Sequence, residues 1–494
     1  MRKLSLFLLL LCIYYNSRSQ EAAAVDSMKN ALAKATTAAD KVYWLDVLSR
    51  TLMNINPTEA EEVGKELIYV AEESRDRKLM IYAYVSNGVR CGYFAGQKDY
   101  IQRSIDYYSK GLEMARQNRM DEETGGIQLR LASIYLAVPD KDKALSYVNQ
   151  GFSLISTLNN DSLKIAAYNT FGNVYQARNE KTLALRQYLN ALHLAEDIQK
   201  GYSKPEILRT CYVNLSSFYS NIEDYDKAID YMTQAYKALD NIKQKNAPYQ
   251  KVTDLNNIGN LFAYKKNYDI AISYFERSIA MADSLKFETL KIPGYISLLN
   301  QYLRMDEPIK ALEYMNSPSG INLKKFLSSF GFNGTIDQAY AVIYTEMGKY
   351  DSARKYFTSA TPYFENNINE SNRMVFYSQL AMFYKLTGEN QRAIDYLLKV
   401  KEVSEKNGAL ETIQNAAKNL DTLYARLSNY QLANQYNGIY YKYKDSIEKL
   451  NREKELAQVE ASDEQYRLER MAGELAEKKE GKIIFSMWVS LLAS

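Results

Sequence analysis

Histidine, cysteine, proline and glycine are all scarce in this chain: one, three, eight and 21 respectively in 494 residues. Each shortage removes a class of explanation. The lone His193 is joined by no cluster of His or Cys at ligand spacing, so neither a metal site nor a histidine-based acid–base pair is expected. Glycine-rich phosphate loops are absent. Carboxylates are plentiful but spread along helical faces, with no spacing that singles out a pair. No catalytic residue, metal or cofactor is expected. Cys12 lies near the start, and Cys91 and Cys211 are 120 residues apart. That is too far for a disulfide within a stacked array, whose alpha carbons would have to approach to about 7 Å. Two buried thiols acting as small apolar residues are expected.

Few helix breakers and no sustained alternation of apolar and polar residues point to an all-α chain. At this length one compact core would be unusual, so several domains or a repeat array are expected.

A repeat emerges when Gly172 is the reference. Tyr168 lies four before it and Phe171 one before; Tyr175, Ala184, Tyr188 and Ala191 follow at three, twelve, sixteen and nineteen. Around Gly259 the same offsets hold Leu255, Ile258, Phe262, Ala271 and Phe275; around Ala381, Tyr377, Leu380, Tyr384, Ala393 and Leu397. Ser216 and Ala341 anchor further copies, Ala132, Leu299 and Asp421 weaker ones, and two degenerate copies sit near Ser49 and Gly88. The pattern predicts two antiparallel helices per repeat, with small residues where they approach. Turn chemistry falls between them at Asn179-Glu180, Glu223-Asp224, Lys266-Asn267, Met347-Gly348 and Thr387-Gly388. Pro205 and Pro248 stand four residues ahead of a repeat's first position, where they cannot break a helix interior.

This register resembles the tetratricopeptide repeat family, over roughly residues 42 to 447. Reference positions here are 40 to 44 residues apart, longer than the family's usual spacing of about 34. The resemblance implies a superhelical solenoid of about ten helical hairpins spanning residues 25–447, then a long charged helix at 448–482. Pro293, Pro308, Pro318, Gly320, Gly331 and Gly334 crowd residues 286–336, where a looser joint is expected, with a short extra packing helix between Ile321 and Phe332. By resemblance, extended peptides lie on the concave face. On it fall Asn169, Asn173, Asn214, Asn256, Asn257 and Asn260, whose amides can both donate to and accept from a peptide backbone.

The two ends carry localisation signals. Arg2 and Lys3 precede the uncharged run Leu4 to Tyr15, and Ser17 and Ser19 suit cleavage before Gln20, so residues 1–19 read as a signal peptide. Lysine plus arginine exceed aspartate plus glutamate by 62 against 59, and Arg2, Lys3 and Arg18 account for that excess. A formally neutral mature chain is no partner for nucleic acid. Residues 444–482 hold nine basic and eleven acidic side chains, with Ile447, Leu450, Ala457, Ala461, Leu468, Met471 and Leu475 on a broken heptad track. Self-association through this helix is one expectation. Residues 483–494 read as the start of an incomplete membrane span, being shorter than the roughly 20 residues a bilayer requires.

Signal peptide, repeat array, charged helix and apolar run together are similar to a class of bacterial membrane sensors. The resemblance implies a non-enzymatic, protein- or peptide-binding module, exported to the periplasm and attached to the inner membrane by its C-terminus. The alternative is an envelope scaffold without a signalling role.

Overall fold

The computed structural model describes residues 18–53, 56–92, 98–138, 140–198, 204–242, 247–286, 288–329, 331–366 and 370–492. Among the described residues there is no strand. Helix α1 (Arg18–Lys34) precedes the hairpins α2–α3 (Ala38–Leu52, Pro57–Glu73), α4–α5 (Arg77–Gly92, Lys98–Gln117) and α6–α7 (Asp121–Ala137, Lys141–Ile155). Hairpins α8–α9 (Asp161–Ala177, Lys181–Asp197) and α10–α11 (Lys204–Asn221, Tyr225–Ala238) follow. After a short 3-10 turn come α12–α13 (Ala247–Tyr264, Tyr268–Ser284) and α14–α15 (Glu288–Arg304, Pro308–Asn316), then the single helix α16 (Pro318–Ser329). The last three hairpins are α17–α18 (Asn333–Glu346, Tyr350–Glu365), α19–α20 (Glu370–Leu386, Asn390–Asn407) and α21–α22 (Leu410–Arg426, Tyr430–Leu492). Ten hairpins are thus formed among the described residues, as the register predicts.

The chain divides into two compact units. One holds Pro248–Glu455; the other holds the repeats before it together with the chain from Leu456 onward.

Seven of the hairpins, from α8–α9 onward, close on a residue in the left-handed region, which lets the backbone reverse after a helix. Asn179, Glu223 and Lys266 take φ of 63°, 63° and 66°, and Gly348 and Gly388 take 71° and 82°. These are the turns read from the sequence. Several second helices then start on a side-chain cap: Asp140 accepts from the Lys143 N–H and Asp224 from the Lys227 N–H. Pro205 and Pro248 occupy the first turns of α10 and α12, where no helical bond is lost.

Packing inside a hairpin follows the small-residue positions. At Gly172 any β-carbon would overlap the Tyr188 ring, and at Gly259 it would stand 2.6 Å from the Phe275 ring. Ala184, Ala228, Ala271, Ala353 and Ala393 are all completely buried. A second ring system joins the two helices. Tyr135 stacks on Tyr147, Tyr219 on Tyr231, Phe262 on Tyr274, Tyr344 on Tyr356, Tyr384 on Tyr396 and Tyr424 on Tyr436, with centroids 5.4 to 5.8 Å apart. Partners are always twelve residues apart, so the first helix's ring meets one on the second across the turn. Hairpin α8–α9 has Gln187 where the second ring would be, and Tyr175 stacks instead on Phe171 of its own helix, 5.9 Å away.

Helix α16 occupies the segment rich in breakers. Its Leu323 and Leu327 are buried in a cluster with Tyr314, Met315, Ala339 and Ile343, so it packs against the hairpins on either side.

The first two hairpins bury a polar network beside their apolar core of Leu45, Leu48, Leu52 and Leu67. Asp46 is fully buried and accepts from Tyr82 Oη at 2.6 Å and from Ser86 and Arg50. Arg90, also fully buried, faces Glu61 at 2.8 Å and donates to Asn87 Oδ1 at 2.9 Å. Paired charges with hydrogen bonds can be buried in this way; unpaired ones cannot.

The expected location requires correction. Among the described residues no helix is long and apolar enough to cross a membrane, so attachment of a periplasmic protein to the inner membrane through its C-terminus does not hold. Residues 483–492 instead continue α22, which reaches back without a break to Tyr430. Most of the expected leader lies outside the described residues; its expected cleavage point, Ser19 to Gln20, falls within α1.

Candidate functional site

Helices α8 and α10, first members of adjacent hairpins, enclose a cleft of about 340 Å³ with the turn after α8. Four carboxamides line it: Asn173, Gln176, Asn179 and Asn221. Phe218 and Ile222 supply apolar wall, and Lys181 brings a positive charge to the edge. Behind the wall the buried Tyr188 of α9 sets its hydroxyl 2.7 Å from Asn173 Oδ1 and 3.1 Å from Gln176 Oε1, the two oxygens sharing its single proton. Burial pushes the Tyr188 hydroxyl well above its ordinary range, so it stays a donor. With their oxygens held, Asn173 and Gln176 have their amide N–H groups to offer, and the free carbonyls of an extended peptide are the matching acceptors.

The remaining predicted asparagines are placed differently from one another. Asn214 donates to Asn169 Oδ1 at 2.9 Å, and Asn169 approaches Cys211 Sγ at 3.8 Å. Asn169 is buried, so this chain of contacts ties α8 to α10 beneath the surface. Asn256, Asn257 and Asn260 lie on α12, outside the unit that holds the cleft. Asn256 is buried; Asn257 and Asn260 are half-buried. Of the six, Asn173 alone lines the cleft. Gln176, Asn179 and Asn221 escaped the sequence reading because they cluster at the hairpin turns, away from the mid-helix stripe. Their signal was available: amide residues stand at or beside several of the turns, as Asn267, Asn390 and Asn429 do.

A larger, more open hollow of about 750 Å³ lies between α5, α6 and α7, bordered by Arg116, Arg119, Asn149 and Gln150. Thr124 and Gln128 line its floor, and Gln128 Nε2 donates to Gln150 Oε1 at 3.2 Å. Both cysteines after the N-terminal segment are free and buried, and burial pushes the Cys211 thiol up to about 11. His193 is half-buried on α9. Among the described residues no group of His, Cys, Asp and Glu is arranged to hold a metal ion.

Four segments of the chain, residues 210–238, 255–284, 338–361 and 376–407, match the tetratricopeptide repeat family. They coincide with most of α10–α11, α12–α13, α17–α18 and α19–α20. No curated protein matches the sequence. Among solved structures the fold is similar to the apo form of RapI, with a TM-score of 0.54 at 14% identity over 74% of this chain and 98% of that one. It is also similar to a signal transduction ATPase with numerous domains from Pyrococcus horikoshii, which carries a tetratricopeptide repeat sensor. There the TM-score is 0.50 at 15% identity, over 72% of this chain and 54% of that one, about half that protein's length. Matched segments and repeated hairpins agree: the chain carries tetratricopeptide repeats in four of its hairpins, within a solenoid fold of the same type.

Proposed function

We propose that this chain binds an extended peptide segment of a partner protein in the cleft between α8 and α10. Tetratricopeptide repeats are protein-binding modules, and the coarse function follows from that. The cleft's composition supports the finer reading. Four carboxamides around an apolar wall suit a peptide backbone, whose N–H and C=O groups they can match without selecting its side chains. Lys181 at the edge favours a ligand carrying a carboxylate nearby. We read the binding event as sensing, the role named for the repeats of the Pyrococcus horikoshii protein.

Peptides selected from a random display library on the full chain test this. Changing Asn173, Gln176 and Asn221 to alanine together should weaken the selected peptides at least tenfold, with helicity by circular dichroism unchanged. Full retention of binding in that variant would place the ligand elsewhere. The same substitution at Asn257 and Asn260 asks whether the α12 pair takes part.

A further inference from the structure

Helix α22 offers one face to the repeats. Ala457, Ala461 and Glu464 are 4%, 1% and 7% exposed, and steps of four and three residues put them on the same side. Leu456, Val459 and Tyr466 are exposed on the rest of the helix. The buried side is held by polar contacts from three helices. Thr182 Oγ1 donates to Glu460 at 2.8 Å and Arg186 Nε to Glu464 at 2.6 Å, both from α9. Tyr219 Oη of α10 and Lys227 Nζ of α11 donate to Gln465 Oε1 at 2.8 and 3.1 Å. Gln458 Nε2 donates in turn to the Ile222 carbonyl oxygen at 2.6 Å. All of these residues belong to one compact unit.

This contact runs beside the peptide cleft. Ile222 lines the cleft and gives its carbonyl to Gln458; Lys181 lines it and is followed by Thr182, which holds Glu460. The surface is shaped for a helix. It accepts two methyl groups on successive turns and sets a cation, Arg186, opposite the third turn. Two alanines bring little hydrophobic attraction, and the remaining contacts are polar groups that water or another helix can replace. An occupant held this way can leave.

We propose that Leu456–Arg467 is the resident occupant of a helix-receiving surface formed by α9, the end of α10 and the start of α11. The same surface accepts in trans an amphipathic helix bearing two small residues four apart and a carboxylate three further on. The inference deepens the protein-binding reading by naming the partner's class, and it rests on that reading only for its purpose.

A fluorescein-labelled synthetic peptide of residues 453–470 tests it against the full chain. Glu464→Arg sets two cations against each other, so the variant should release its own helix and bind the peptide at least tenfold more tightly than the unaltered chain. Arg186→Glu combined with Glu464→Arg restores an opposite-charge pair within the chain, and peptide binding should return to the unaltered level. Equal binding by the unaltered chain and Glu464→Arg, including none by either, would overturn the proposal. Circular dichroism of each variant confirms that the hairpins remain folded. Failure here leaves the display selection on Asn173, Gln176 and Asn221 standing, and the converse holds.

Discussion

Tyr188 shows how much one ring can do in this protein. Its face covers Gly172, and its hydroxyl holds the oxygens of Asn173 and Gln176. Gly172→Ala should therefore be costly, because the new methyl group meets a ring that neighbouring helices confine. Overpacking of that kind costs about 1–3 kcal/mol. Urea unfolding monitored by circular dichroism should show the loss, and peptide affinity in the cleft should fall with it as the ring shifts. An unchanged unfolding midpoint would mean that the ring has room to move. The sequence marked Gly172 and Tyr188 through their register. The amides of the cleft were not marked, since nothing in a linear pattern says that the turn after α8 lies against the end of α10.

Helix α22 makes the same point one scale up. Its heptad track reads as a seam for another helix, and Ala457 and Ala461 on that track are buried against the chain's own repeats. Docking of the helix also responds to pH. Burial disfavours the charged form of Glu464, yet hydrogen bonds from Arg186 and Arg467 outweigh it and hold the carboxyl below its ordinary value of 4.5. A carboxyl with a depressed value stabilises the docked state when ionised. That contribution is complete above pH 4.5 and is lost as the pH falls through the lower, docked value. Hydrogen exchange of residues 456–467 should accordingly be constant, after correction for intrinsic rates, from pH 7 down to about 5, and protection should drop below 4. Loss of protection between pH 5 and 7 would point to a different titrating group. At this scale the first two hairpins were the hardest to read. Asn87 takes the apolar position just before Gly88, and Glu61 and Tyr100 stand twelve after Ser49 and Gly88 where the pattern expects alanine, so these repeats look degenerate although their hairpins are formed.

For the whole molecule, contacts are mostly between a helix and its neighbours in sequence, so stability is a sum of local terms. Unfolding should not be a single all-or-none step. Tyrosine fluorescence reports the stacked pairs, whereas circular dichroism at 222 nm reports helices, and the two transitions in urea should not coincide. Superimposable curves would show stronger coupling between repeats than this architecture implies. Composition and register were enough to determine the all-α class, the hairpins, the turns and most of the core, because each depends on residues within about 40 positions of one another. Tertiary structure alone decided which amides share a cleft, that Asn169 is buried and bonded to Asn214 while Asn173 stays open, and where the C-terminal helix rests. Glu464 meets Arg186 across 278 residues of chain, and no periodicity encodes a contact made at that distance.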